Sequence, residues 1–299
     1  MTRHDLQFRI EAAALWLALH LVRRLSPVAA SNLGGAVARS IGPWLAVSRV
    51  ADANVRLALP GLDTPARRTL IRGVWDNLGR TVAELPHLPN LRATPRGPGW
   101  ELVGAEQLAP LRAAGGPAIL FSAHLANWEL LTAIAATHGV VPAVVYRPAS
   151  NPIADRMINA IRREAIGARV KMFPKGAEGA RGVLAHLRGG GVLAMLADQK
   201  MNDGIAAPLF GHPSMTASAG AALALRFRCK LLPAHAERIG PARFRVIVEP
   251  PLPLPDSGDR AADILALTTA MNACLERWVR GRPAEWLWLH RRWPDNVYR

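Results

Sequence analysis

PAILFSAHLANWELLTAIAATHGVVPAVVY, residues 117–146, decides the fold class. PAILFSA (117–123) is a short apolar run and reads as a buried strand. NWELLTAIAATHG (127–139) has the length and spacing of a helix and closes on Gly139. VVPAVVY (140–146) is a second strand, with Pro142 at its entry. The same rhythm continues outward. PIADRMINAIRREAIG (152–167) is a helix from Pro152 to Gly167, ARVKMF (168–173) a short strand, and GAEGARGVLAHLRGG (176–190) a helix ended by glycines. GVLAMLAD (191–198) is an almost wholly apolar strand. A small-residue helix (216–227), two strands (229–238 and 242–250) and a final helix (260–280) follow. Apolar strands interleaved with helices predict an α/β fold with a central sheet covered by helices on both faces.

Residues 1–100 lack the strand rhythm and read as a mainly helical N-terminal extension. Residues 101–299 form the α/β core with a basic, aromatic tail, RPAEWLWLHRRWPDNVYR at 282–299. With no clean linker between them, the two parts are expected to make one integrated domain. Within the extension, AAALWLALHLV (12–22) is too short for a membrane span, which needs about 20 apolar residues. Trp16 and the flanking Arg23 and Arg24 fit an interfacial helix instead, so N-terminal membrane-associated helices are expected.

The chain has 299 residues, half of them hydrophobic, which is ample for a real core. Its formal net charge of +15 favours an anionic partner: nucleic acid, anionic lipid or an acidic carrier protein. Nucleic acid is disfavoured, because there are only 2 Tyr and 6 Phe and no nucleic-acid motif. Cys229 and Cys274 are too few for a disulfide framework or a metal cluster and read as buried thiols. No H-E-x-x-H motif is present, and no metal or other cofactor is expected.

The candidate chemistry begins where the strand 117–123 ends. In α/β sheets, ligands bind outside the carboxyl ends of strands, and His124 lies one residue beyond this one. An imidazole there suits a general base if a partner fixes its tautomer. Glu129, five residues on, is the candidate partner. On an unbroken helix the two would stand roughly 140° apart, so the pair requires His124 in the turn and Glu129 in the first turns of the helix, with Asn127 as its cap. The spacing alone leaves open a histidine satisfied at a helix start with Glu129 facing solvent. Ser122 lacks a G-x-S-x-G setting, so the acceptor hydroxyl itself is the expected nucleophile.

Five ordered blocks extend this reading. They are HLANWE (124–129), YRPASNP (146–152), LADQKMNDG (196–204), PLFGHPSMTASAG (208–220) and WLWLHRRW (286–293). Together, with Arg49 and Asn54 upstream, they resemble the bacterial lipid A biosynthesis acyltransferases, the late lauroyl and myristoyl transferases. The resemblance implies a glycerolipid-acyltransferase-like fold and H-x4-D/E chemistry. It implies transfer of a fatty acyl chain from acyl carrier protein to a hydroxyl of a phosphorylated glycolipid, a lipid A precursor, at the cytoplasmic face of the inner membrane. It makes His124 the base and Glu129 its support. Arg147, Asp198, Asn127 and Lys175 become the expected substrate-binding residues. Arg147 is the candidate phosphate clamp, since its fork matches phosphate geometry. The motif at 208–211 carries LFG where the family has F-F-G.

Two alternatives stand beside this. An acyltransferase using acyl-CoA, or acting on another glycolipid, would carry the same motif. A non-catalytic peripheral membrane protein would bind liposomes without turnover. The segment containing Arg147, Arg156, Arg162, Arg163, Arg169, Lys171, Lys175 and Arg181 suits docking of an acidic carrier or a phosphorylated lipid. The aromatic tail, with Arg291 and Arg292 beside Trp286, Trp288 and Trp293, suits a membrane interface. The small-residue helix at 216–227 would either back an acyl slot or pack closely on the sheet.

Overall fold

A computed structural model describes residues 3–167 and 170–298. Arg169, and with it the start of the strand expected at 168–173, lies outside the described residues. The chain opens with four helices, α1 (Arg3–Arg23), α2 (Pro27–Ile41), α3 (Ser48–Ala58) and α4 (Thr64–Glu84). Ser26 and Asp63 cap α2 and α4 through side-chain oxygens, each followed by a proline in the first helical turn. Then come β1 (Gly99–Val103), α5 (Ala109–Ala114), β2 (Ala118–Ser122), α6 (Leu130–Thr137), β3 (Ala143–Tyr146), α7 (Pro152–Ile166), β4 (Met172–Pro174), α8 (Ala177–Arg188) and β5 (Val192–Leu196). A hairpin, β6 (Lys200–Leu209) and β7 (His212–Thr216), precedes α9 (Ala219–Phe227), β8 (Lys230–Gly240), β9 (Arg243–Val248) and α10 (Arg260–Gly281).

Among the described residues seven strands form one sheet in the order β1-β9-β8-β2-β5-β3-β4. All neighbours are parallel except β8 and β9, so the sheet is mixed. Strand β2 is buried along its whole length, which is why its sequence is apolar without alternation. Its side chains still alternate between the two faces. Ile119 and Phe121 join Leu193 and Leu231 in the larger core, which gathers α8, α9, α10 and also Val55, Ile71 and Val74 of α3 and α4. Ala118 and Leu120 face the other way, with Leu232, Ala234 and Val248, toward Leu111 and Ala135. Cys229 and Cys274 are free and buried.

The N-terminal membrane-associated helices expected from sequence, and the inner-membrane location that went with them, do not stand. No helix among the described residues is long and apolar enough to cross a membrane. The reason is visible in α1: its apolar run is framed by Arg9, Glu11 and Arg23 within the same 21 residues. The helix is also tied to the core. Asn151 donates to the Phe8 carbonyl (2.9 Å) and to Glu11 (3.0 Å), and the His87 ring meets the Val22 carbonyl (3.2 Å). The tail is likewise not an interface belt. Trp286, Trp288 and Trp293 are fully buried, and so is Arg292.

Candidate active site

Register sets the site. Strands β2 and β5 are parallel neighbours with Ser122 opposite Leu196. Two residues beyond each of these partners stand His124 and Asp198, so the sheet delivers both to the same edge at the same height. The Ala197 N–H continues the ladder to the Ser122 carbonyl at 2.9 Å. The His124 ring meets Asp198 Oδ1 through Nδ1 at 2.8 Å, and the His124 backbone N–H donates to Oδ2 at 2.9 Å. A third donor, the Trp286 indole N–H, reaches Oδ2 at 2.8 Å. Asp198 is 1% exposed. Burial alone would raise its carboxyl, but the charge and hydrogen bonds of His124, with His290 adding, hold it well below the usual carboxylate range. An ionised Asp198 accepts from Nδ1–H and leaves Nε2 as the basic nitrogen.

Glu129 stands elsewhere. It occupies the N-cap position of α6 without a capping hydrogen bond. Its carboxylate grips Arg162 of α7 bidentately, Nε at 2.7 Å and Nη2 at 2.5 Å. The hydrogen bond to His124 that sequence assigned to Glu129 is made by Asp198. Desolvation would lower the Arg162 guanidinium, but Glu129 outweighs it and raises it. His124, Glu129 and Arg162 nevertheless line one cavity of about 850 Å³, within the roughly 300–1,000 Å³ of small-molecule sites. Its walls are mostly apolar and draw on both faces of the sheet, Leu120 and Ala194 on one, Met195 and Leu223 on the other. Helix α9 faces two ways. Ala222 and Leu223 line the cavity, while Ala221 and Ala224 are buried in the core.

Cations follow the carboxyl ends of the other parallel strands. Arg147 is the residue after β3, Lys175 the residue after β4, and Lys200 lies two beyond Asp198; all three line the same cavity. Arg147 is exposed, and Lys175 contacts Gln199 at 3.4 Å. Asn127 does not join them. It is fully buried, and its amide donates to Glu84 at 2.9 Å.

The turn between β2 and α6 is unusual. Ala126 has φ 47°, the left-handed region, which costs a non-glycine residue roughly 1–2 kcal/mol. Its carbonyl accepts from Thr81 Oγ1 (2.8 Å) and Asn77 Nδ2 (3.3 Å), and its N–H donates to the Glu285 carbonyl (3.0 Å). At about 1 kcal/mol each, these bonds offset the backbone cost. The Leu287 N–H closes the turn on the His124 carbonyl at 3.0 Å.

Residues 4–295 match the family described as bacterial lipid A biosynthesis acyltransferase. The chain belongs to that family. It is therefore an enzyme that moves an acyl group from a donor to a lipid acceptor. A comparison with curated proteins returned no match. For this lipid A biosynthesis acyltransferase, sequence reasoning placed His124 and Asp198 in the site but did not pair them. It also missed the roles of Trp286 and Arg162 in shaping the site. Trp286 lay in a block already singled out, but its aromatic and basic composition suggested an interface. Arg162 sits on the polar face of an amphipathic helix, with no motif to mark it.

Proposed function

We propose that this acyltransferase transfers a fatty acyl chain from acyl carrier protein to a hydroxyl of a phosphorylated lipid A precursor, with His124 as general base. The observation that carries this reading is the His124 ring, held by an ionised, buried Asp198 at the wall of a large apolar cavity. The cavity supplies the slot for the acyl chain. His124 Nε2 takes the proton of the acceptor hydroxyl as its oxygen attacks the thioester carbonyl. The tetrahedral intermediate collapses, the carbon–sulfur bond breaks, and the departing thiolate recovers the proton from Nε2. Asp198 stabilises the imidazolium in between.

Arg147 and Lys175 are the candidates for the acceptor phosphate, as their place after adjacent strand ends supports. A net charge of +15 favours an acidic carrier as donor. Glu129 acts through Arg162, fixing the guanidinium at the cavity wall. Substitutions of the two should therefore not add: the Glu129→Gln/Arg162→Gln double variant is expected to lose little more kcat than the worse single one. Additive losses in that cycle would separate Glu129 from Arg162.

The function is tested with acyl carrier protein loaded with lauroyl, myristoyl or palmitoyl chains and a tetra-acylated lipid A precursor. Mass spectrometry should show the gain of one acyl chain, and its mass identifies the preferred length. Transfer from acyl-CoA with none from acyl carrier protein, on a verified acceptor, would overturn the donor assignment.

A further inference from the structure

The left-handed turn at Ala126 is braced by a buried ion pair that never reaches the cavity. Glu84, the last residue of α4, has no exposure, and Arg238 on β8 clasps it through both terminal nitrogens. Glu84 also accepts from Ser31 (2.6 Å), Asn127 (2.9 Å) and the Ala242 N–H (3.2 Å). Arg238 donates through Nε to Asn77 at 2.9 Å and through Nη2 to Thr81 at 3.2 Å. Asn77 and Thr81 are the two side chains that bond the Ala126 carbonyl, the Thr81 hydroxyl sharing its one proton with the Asn77 carbonyl at 2.9 Å. The Arg238 N–H meets the Glu285 carboxylate at 2.9 Å, and the Glu285 carbonyl takes the Ala126 N–H. Both side chains on the Ala126 carbonyl are thus held by the guanidinium of the ion pair, while the residue that takes its N–H is held by the Arg238 backbone. Close packing seats the assembly: a Cβ on Gly34 of α2 would stand 2.3 Å from the Gly79 carbonyl of α4, so only glycine lets these helices approach.

We propose that the buried Glu84–Arg238 pair, acting through Asn77, Thr81 and Asn127, is the positioning element that holds the left-handed Ala126 turn and thereby sets His124 against Asp198. The proposal rests on the reading of His124 as the base. An alanine left to itself prefers right-handed or extended backbone. Loosening the brace lets the turn relax and moves His124, two residues upstream, off its partner. Misplacement of a reacting group by about 1 Å costs on the order of a hundredfold in rate. Neither side chain touches substrate, so the loss falls on kcat and spares KM.

Glycine adopts the left-handed conformation freely, which supplies the test. Thr81→Val keeps the shape and removes one bond to the turn; Glu84→Gln removes the charge under Arg238. Each is made alone and with Ala126→Gly. The readouts are kcat and KM, thermal stability, and the low-field proton resonance of His124 Nδ1–H, which needs no substrate. The single variants are expected to lower kcat about ten- to a hundredfold and to broaden or shift the resonance. Adding Ala126→Gly should restore both without restoring thermal stability. Where Glu84→Gln does not fold, Thr81→Val carries the test. An unchanged resonance and kcat in Thr81→Val, or a loss that Ala126→Gly fails to rescue, overturns the proposal. His124→Ala in the same assay separates the two readings. Activity retained there rejects the base, whereas activity lost there but kept in Thr81→Val rejects only the brace.

Discussion

Replacing His124 by alanine is expected to lower kcat by about 10²–10⁴-fold, the range of a positioned general base. The protein should still fold. The Asp198 carboxylate loses one of its three donors but keeps the Trp286 indole and the residue-124 backbone N–H. A partner lost from a buried group costs about 1–3 kcal/mol, a fraction of the stability of a domain this size. Single-turnover transfer and circular dichroism, measured on one preparation, check both halves. Full activity in a folded variant would remove His124 from the mechanism.

Asp198→Asn is expected to be nearly as damaging, for a different reason. The amide matches the carboxylate in size but can present a donor where the carboxylate accepts. Nδ1 then becomes the acceptor, Nε2 takes the proton, and the ring can no longer receive one from a hydroxyl. In comparable triads that tautomer change lowers kcat by about 10⁴. The substitution also has a signature in acid. A carboxyl held low in the folded state contributes stability that is fully present above its unfolded value, about 3.9, and is lost as pH falls toward its native value. The wild-type protein should therefore lose more unfolding free energy below about pH 4 than Asp198→Asn does. Denaturant titrations on either side of that point test it. Equal acid sensitivity would mean that the His124–Asp198 bond does not stabilise the fold.

The strand and helix rhythm from residue 117 to 250 was legible because buried strands and amphipathic helices leave different apolar spacings. The β6–β7 hairpin was not. Its turn is Phe210-Gly211, with φ 52° and 75°, where the usual sequence signal is Asn-Gly or Asp-Gly. A bulky residue reaches that region only because tertiary packing holds it, and here Phe210 lies against Trp288 and Trp293. His124 was legible because it follows a strand end. Its pairing with Asp198 was not, since β2 and β5 are separated by 69 residues of chain between Ser122 and Val192 and only their register brings the two together. Glu129 was the natural choice from linear spacing, but the left-handed Ala126 turns the chain and sends that carboxylate to Arg162. The membrane expectation rested on a short apolar run flanked by arginines, and no helix among the described residues is long and apolar enough to cross a membrane.

The Trp286 indole on Asp198 also ties the site to the order in which the chain is made. Of the groups that bond the carboxylate, the indole is translated 88 residues after the aspartate it holds. A growing polypeptide that has passed the other site residues but not this tryptophan has a histidine and an aspartate with an open flank. Trp288 and Trp293, still later, close the core behind them. Until this segment has left the ribosome, the Asp198 carboxylate lacks its indole donor and the core lacks three of its buried tryptophans.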